Sequence, residues 1–127
     1  KNKSQNYLIL RCGAIVGPTM RYNTLLKLMR EKKPHLSLNK HSQFNYILQD
    51  DINNFITKAI NNNICGTYDF VSTTNMSLLD VADYFKCSPT YGSYTYTTPK
   101  FDILPLAPYI NKTSEQVIKE FEETYES

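Results

Sequence analysis

The stretch that decides the fold runs from Leu8 to Pro18 and reads Leu-Ile-Leu-Arg-Cys-Gly-Ala-Ile-Val-Gly-Pro. Its apolar start is typical of a strand that is buried on both faces, as in a parallel sheet. Gly13 and the Gly17-Pro18 pair then favour a sharp change of backbone direction. Because ligands of open α/β sheets bind beyond the carboxyl ends of the strands, the loop from Cys12 to Arg21 is predicted to contribute to a site.

Length and composition limit the class of protein. The chain has 127 residues, of which 41% are hydrophobic and 20% charged, and its formal net charge is +2. These values are typical of one globular domain, and the small net charge predicts no nucleic-acid partner. No apolar run in the sequence approaches the length of a membrane span, so no membrane partner is predicted either.

The residues that could bind a metal or act as nucleophiles are scattered. Three cysteines without a close pair argue against a disulfide framework and predict a reducing compartment, the cytoplasm. His35 and His41 with Asp50 and Asp51 could be metal ligands, but the aspartates are expected to cap a helix, so no metal is predicted. Cys12 has no neighbour in the sequence that would lower its pKa, which favours a buried strand end over a nucleophile.

Apolar periodicity and turn residues predict helices that alternate with short strands. The predicted elements are a helix from Asn23 to Lys32, a small hairpin of His35–Leu38 and Phe44–Leu48, a helix capped by Asp50 or Asp51, a strand from Thr67 to Val71, and two further helices that begin at the capping boxes Ser77 with Asp80 and Thr113 with Gln116. This order predicts a mixed α/β domain.

The segment from Tyr91 to Thr98 alternates Tyr and Thr, which predicts an edge strand or an ordered loop. Its tyrosines could stack on a base or sugar, but without a basic stripe an edge strand or subunit contact is favoured over nucleic-acid binding. Tyr96 and Lys100 have the spacing of a catalytic Tyr-x-x-x-Lys pair. Pro99 disfavours the helical turn that would bring the two side chains together, so the match is interpreted as chance.

Three short sequence motifs, taken in order, resemble those of one enzyme family. Leu10–Pro18 is similar to a family motif in which Leu-Arg is followed, after a few variable residues, by Tyr-Gly-Pro. Phe44–Ile52 is similar to the family's Arg-Asp-Phe-Val-His-Val-Asp-Asp-Val motif. Gly66–Ser72 is similar to the family's Gly-x-Tyr-Asn-x-x-Ser motif. Together they resemble the C-terminal, substrate-binding part of an extended short-chain dehydrogenase/reductase of the NAD-dependent epimerase/dehydratase family. The resemblance covers the chain from Tyr7 to Phe85.

The resemblance implies an α/β fold, the C-terminal part of a Rossmann-like enzyme with short parallel strands, a small hairpin and about four helices. Residues 1–127 would be a single substrate-binding domain, expected to be a fragment whose N-terminal dinucleotide-binding half is missing. That half of the same enzyme is the implied partner, and the enzyme could form a homodimer. The implied cofactor is NAD or NADP in the full-length protein, with none expected for this chain alone, and the implied substrate is a sugar nucleotide.

The resemblance also implies a set of site residues and no catalytic residue. Cofactor-facing positions are Cys12, Gly13 and Ala14, and substrate-facing positions are Arg21, Asn23 and Phe44. Ala14 stands where epimerases often have Asn, and Phe44 stands where many relatives have an Arg on the diphosphate. The phosphate contact is therefore expected from Arg21, or else from Lys40. The alternative hypothesis is a non-catalytic binding or assembly module derived from the same fold.

Overall fold

The computed structural model describes residues 7–125, which form six short strands and four helices. In chain order they are β1 (Leu8–Cys12), β2 (Ala14–Val16), α1 (Thr24–Arg30), β3 (Gln43–Phe44), β4 (Tyr46–Leu48), α2 (Gln49–Asn61), β5 (Gly66–Phe70), β6 (Met76–Ser77), α3 (Leu78–Phe85) and α4 (Ser114–Tyr125). Among these described helices, none is both long and apolar enough to cross a membrane. The predicted domain also includes residues 1–6 and 126–127, which lie outside the described part.

The strands are paired two by two. β1 and β5 are parallel, with Leu8 opposite Gly66 and Cys12 opposite Phe70. β2 and β4 are also parallel, whereas β3 and β6 are antiparallel. Parallel neighbours require a crossover connection, and α2 lies between β4 and β5 with Phe55 stacked on Phe70 at 5.1 Å between ring centroids. The predicted α/β class, with short parallel strands and four helices, is confirmed.

Side-chain caps begin three of the described helices. At α1, the Asn23 side chain accepts a hydrogen bond of 3.0 Å from a backbone N–H of the first turn. At α3, Ser77 and Asp80 form both hydrogen bonds of a capping box. At α4, the Gln116 N–H donates to Thr113 Oγ1 at 3.1 Å and the Thr113 N–H to Gln116 Oε1 at 2.7 Å. Both predicted capping boxes are therefore present.

The cap predicted for α2 is wrong. The helix begins at Gln49, directly after β4, so the extended residue Leu48 occupies the cap position and no side chain caps the first turn. Asp50 and Asp51 lie inside that turn, where negative charge is favoured by the helix dipole. Asp51 accepts a hydrogen bond from Lys112 Nζ at 2.9 Å instead of capping the helix.

Lys112 links α2 to α4, because its ammonium also donates to Glu120 at 2.6 Å. Partial burial lowers the pKa of Lys112, but the hydrogen bonds and negative charges of Glu120 and Asp51 outweigh burial and raise the pKa above its usual value. Next to this link, α2 and Tyr109 line a small cavity of about 220 Å³.

The predicted hairpin is also wrong. His35 and Leu38 form parallel bridges with Thr90 and Tyr94, and β4 pairs with β2. Residues 34–43 and 88–98, which we call the parallel ribbon, are joined along their length by backbone hydrogen bonds. The Tyr- and Thr-rich segment has high strand propensity and provides the pairing that a hairpin partner would have supplied. This segment, predicted as an edge strand or ordered loop, is ordered by that pairing.

Two apolar clusters form the core. The larger lies between α1, α3, α4 and β4, and the smaller between α2, β5 and the buried side chains of Leu106 and Ile110. β1 is not buried on both faces as predicted, because Ile9 is 52% exposed. Within the described residues only β5 pairs with β1, so this strand alternates between a covered and an open face.

Candidate functional site

A cleft of about 490 Å³ lies at the carboxyl end of β1. Its lining consists of Arg11, Cys12, Gly13, Ala14, Phe44, Asn45, Tyr96, Thr98, Pro99, Lys100 and Phe101. One wall comes from the end of β1, the start of β2 and residues 44–45 just before β4. The other comes from residues 96–101, which begin in the parallel ribbon and continue beyond it. The position agrees with the expectation that ligands of an α/β sheet bind beyond the ends of its strands.

The floor of the cleft is fixed by the buried side chain of Asn45. Its amide Nδ2 donates to Ser72 O at 2.9 Å and to Asn75 Oδ1 at 3.0 Å, and its Oδ1 accepts from Ser72 N at 2.9 Å. The Asn45 carbonyl accepts from Ala14 N at 2.6 Å. A Cβ at Gly13 would lie 2.5 Å from that carbonyl oxygen, so the close approach requires glycine.

An aromatic surface lines one side of the cleft. The Phe44 ring is stacked on Tyr96, with centroids 4.8 Å apart and an interplanar angle of 24°, and also lies 5.9 Å from the ring of Tyr46. Stacked rings hold each other in place and leave a flat apolar face. Such a face suits a sugar or base rather than an isolated charge.

The segment that carries the other wall is held at both ends. The Tyr96 N–H donates to the buried Ser42 hydroxyl at 3.0 Å, and the Thr98 N–H donates to the Gln43 carbonyl at 3.2 Å. At the far end, the Asp102 N–H donates to Asp69 Oδ2 at 2.8 Å. Pro99, Lys100 and Phe101 therefore span a short distance between two anchored points.

The electrostatics of the cleft favour anions. Arg11 and Asp69 are opposite each other in the β1–β5 register, and their Nε and Oδ1 atoms lie 2.6 Å apart. Asp69 is only 4% exposed, so this pair compensates a buried carboxylate. Lys100 forms no ion pair with any acid among residues 7–125, and none of the lining residues is acidic.

The described cleft offers no activated nucleophile. Burial raises the pKa of the Cys12 thiol above its ordinary value, which keeps the thiol protonated at neutral pH. Tyr96 and Lys100 lie in a non-helical segment, as the presence of Pro99 predicts, so they do not form the one-turn pair of a catalytic helix. In the described part of the chain, no three His, Cys, Asp or Glu side chains are grouped so that they could hold a metal ion.

Four of the six predicted site residues meet in the cleft, namely Cys12, Gly13, Ala14 and Phe44. Arg21 is exposed and does not line it, and Asn23 caps α1. Lys40, the second predicted phosphate contact, is exposed in a turn within the parallel ribbon, just before β3, and is also absent from the lining.

Sequence reasoning missed most of the second wall. Tyr96 was considered as a stacking surface for a base or sugar, and together with Lys100 as a chance match to a catalytic pair, but neither residue was assigned to the site that both of them line. Asn45 lies within one of the recognised sequence motifs but was not singled out. It supports the floor of the cleft through its side-chain hydrogen bonds to Ser72 and Asn75.

Neither a protein-family model nor a curated protein matches the sequence. The structure is similar to UDP-N-acetylglucosamine 4-epimerase from Bacillus cereus, with a TM-score of 0.70 and 14% identity over 99% of this chain and 50% of that one. It is also similar to Helicobacter pylori ADP-L-glycero-D-manno-heptose-6-epimerase, with a TM-score of 0.73, 19% identity and coverage of 98% and 46%.

A third similar structure is dTDP-4-dehydrorhamnose reductase from Bacillus anthracis in complex with NADP, with a TM-score of 0.68, 20% identity and coverage of 93% and 48%. The chain thus spans about half the length of each of these nucleotide-sugar enzymes. At such identities the likeness establishes the fold. The chain therefore has the predicted α/β fold, which it shares with about half of each of these enzymes.

Proposed function

We propose that this chain is the substrate-binding portion of an NAD(P)-dependent enzyme that acts on a sugar nucleotide. The observation that carries the proposal is the cleft at the carboxyl end of β1, where Cys12, Gly13, Ala14 and Phe44 meet. The similar structures are named for UDP-, ADP- and dTDP-linked sugars, which supports this class of substrate. A flat aromatic face beside a cationic rim suits both parts of such a ligand.

The cleft fits one end of a dinucleotide rather than all of it. Ala14 is exposed and has a small side chain, so the rim beside Cys12 leaves room for a flat ring. When bound, a nicotinamide would accept or donate hydride. The described part of the chain would orient the substrate: the aromatic stack of Phe44 and Tyr96 would contact its apolar part, and Lys100 adds a positive charge to the lining.

A dinucleotide-binding half is the partner that this proposal requires, and the exposed edge of β1 is where we expect it. Tyr7 and Ile9 are 44% and 52% exposed, and Ile60 of α2 is 71% exposed. Within the described residues β1 is hydrogen-bonded to β5 alone. A parallel strand added at the other edge would satisfy backbone groups of β1, and its crossover helix would cover these apolar side chains.

Protection of Cys12 from alkylation tests occupancy of the cleft. The chain would be treated with N-ethylmaleimide at pH 8.5, with and without millimolar UDP-N-acetylglucosamine, and the modified cysteines quantified by mass spectrometry. We expect the sugar nucleotide to slow modification of Cys12 severalfold, because this residue lines the cleft. Cys65 and Cys87, which lie outside it, serve as internal controls.

The outcome separates the two functional hypotheses. Protection of Cys12 by sugar nucleotides, and not by the corresponding free sugars, would support the proposal. Equal reactivity of Cys12 with and without any member of a panel of UDP-, ADP- and dTDP-sugars would contradict it. That second result would favour the binding or assembly module.

A further inference from the structure

We propose that the outer edge of the parallel ribbon, residues 93–97, pairs with the same segment of a second copy of this chain. The two segments would run antiparallel about a twofold axis at Thr95 and join the two ribbons into one intermolecular sheet. Of these residues, Tyr96 alone lines the cleft, so the pairing goes beyond the proposed function and does not depend on it.

One side of this segment is bonded to the rest of the ribbon through its even-numbered residues. The Tyr94 N–H donates to Ser37 O at 3.2 Å, and Tyr94 O accepts from Asn39 N at 2.7 Å. Tyr96 O accepts from Gln43 N at 2.8 Å. In an extended chain, successive residues direct their backbone groups to opposite edges, so the odd-numbered residues face away from the ribbon.

The odd-numbered residues form an open edge. In the part of the chain from 7 to 125, the backbone N–H and C=O groups of Ser93, Thr95 and Thr97 form no hydrogen bond. All three residues are exposed. A row of unpaired backbone donors and acceptors is a template for an added strand. The ribbon can therefore bind one more strand at this edge.

The composition of the edge favours an identical strand over a charged partner. No charged residue lies between Ser88 and Pro99, and residues 90–98 contain no proline. Proteins usually block a free edge with charge or proline, and this edge has neither. Two copies meet there without like-charge repulsion, whereas a charged strand would lose hydration and gain no countercharge. A second copy of the same uncharged segment is therefore the partner that fits.

The segment is complementary to itself in one register. With Thr95 opposite the partner's Thr95, Ser93 lies opposite the partner's Thr97, and the outward-facing residues of both copies all form hydrogen-bonded pairs. Between these pairs, Tyr94 lies opposite the partner's Tyr96, at a position where antiparallel side chains are closest. Hydroxyl pairs and aromatic pairs are both favourable cross-strand neighbours. Backbone and side chains thus select the same register.

The exposure of the tyrosines supports this register. Tyr94 is 72% exposed and Tyr96 43%, so both side chains have surface left to bury. An axis at Tyr94 would instead place Tyr96 opposite the partner's Gly92, which offers no ring. The axis at Thr95 therefore buries two tyrosines from each copy.

The test compares Thr95→Pro with Thr95→Val in the 127-residue chain. Proline removes the central outward N–H, whereas valine keeps it. Both variants lose the Thr95 hydroxyl, which lies 2.5 Å from Asn39 Nδ2, so they are matched for that loss. Neither change removes a backbone hydrogen bond of the ribbon, because none of those bonds uses the Thr95 N–H or C=O.

Sedimentation equilibrium from micromolar to millimolar concentration would give the dissociation constant of the dimer. The segment is far shorter than the roughly 20–30 residues a side of a stable interface, so we expect a weak dimer. For Thr95→Pro we expect the dissociation constant to rise about tenfold or more, because each copy loses a hydrogen bond to the other. For Thr95→Val it should change less than about threefold.

Amide hydrogen exchange of the unchanged chain locates the contact. We expect exchange at Ser93, Thr95 and Thr97 to slow as the concentration rises. Exchange at Tyr94, whose N–H is already bonded within the ribbon, should change much less. This alternation decides the matter even if Thr95→Pro does not fold.

Each other outcome overturns the inference. If valine weakens the dimer as much as proline, or neither does, the outward N–H of Thr95 is not what joins the copies. If association slows exchange in β1 instead, the contact lies at the edge of β1. A chain that stays monomeric at millimolar concentration would leave the edge to an extended strand of another protein. None of these results affects the proposed function, because protection of Cys12 by a sugar nucleotide does not require a dimer.

Discussion

The two walls of the cleft are built in different ways. The wall at the end of β1 consists of paired parallel strands, with Gly13 packed against the backbone of Asn45. The wall from Tyr96 to Phe101 starts at the end of the parallel ribbon, continues without regular structure from Pro99, and is held by a few hydrogen bonds at its ends. Yet the second wall carries Lys100 and half of the aromatic stack. The regular wall therefore provides the frame, and the irregular wall provides most of the recognition groups.

The largest effect is expected from Asn45→Ala, which removes the support of the regular wall. The change leaves the buried Ser72 N–H without its acceptor and frees the acceptors that Asn45 Nδ2 now satisfies. We expect the free energy of unfolding to fall by about 3 kcal/mol, because each unsatisfied buried group costs 1–3 kcal/mol. Urea unfolding followed by circular dichroism would measure the loss.

Ser42→Ala is the matched change for the irregular wall. The Ser42 hydroxyl accepts one hydrogen bond from Tyr96 N, so its loss should cost only about 1 kcal/mol. A cost for Ser42→Ala equal to or above that of Asn45→Ala would reverse the ranking of the two walls.

A somewhat smaller effect is expected from Gly92→Ala, which strains the parallel ribbon beneath the irregular wall. A Cβ at this position would overlap the backbone of Ser37, with its Cα only 2.7 Å away. Backbone atoms of a paired segment cannot move aside easily, so we expect a loss of about 2 kcal/mol, within the usual range for overpacking. Thermal and urea melts would quantify it.

Gly17→Ala provides the control for that change. The new Cβ would meet mainly the side chain of Gln49, whose flexible amide end can rotate away. We expect a cost well below that of Gly92→Ala. A similar loss in the free energy of unfolding for the two variants would show that the backbone of the ribbon adjusts as easily as a side chain. The irregular wall would then be less rigid than its hydrogen bonds imply.

The regular wall was largely predictable from the sequence, and the irregular wall was not. The apolar run at Leu8 and the capping boxes at Ser77 and Thr113 are local signals, and each corresponds to an observed element. The ribbon, by contrast, joins residues about 55 positions apart, for example Leu36 N with Thr90 O. No local pattern specifies such a partner, which is why residues 35–38 were assigned to a hairpin.

The residues of the candidate site likewise fall into a group that the sequence predicted and a group that it did not. Cys12, Gly13, Ala14 and Phe44 belong to recognised sequence motifs at the ends of short strands, and the pairing of β2 with β4 brings these motifs together. Lys100 enters the cleft only because Asp69 and Gln43 anchor the segment around it. The α2 cap was mispredicted for a related reason, since the turn that an aspartate cap needs is absent where β4 continues directly into the helix.

The smallest effect is expected from adding a dinucleotide to this chain, because its glycines form no Gly-rich turn for the diphosphate. Gly13, Gly17 and Gly92 are each used in a close approach within the chain, against Asn45, Gln49 and Ser37 respectively. The fourth, Gly66, lies at the start of β5 with a φ of +116°, so the glycines are not grouped as a phosphate-binding turn requires. Calorimetric titration of NAD(H) and NADP(H) into the 127-residue chain should therefore give no binding in the micromolar range. Micromolar affinity corresponds to about 8 kcal/mol of binding free energy, which is more than contacts of a nicotinamide ring with the rim at Ala14 can supply. Micromolar binding would therefore require a dinucleotide site in this chain that the cleft does not explain.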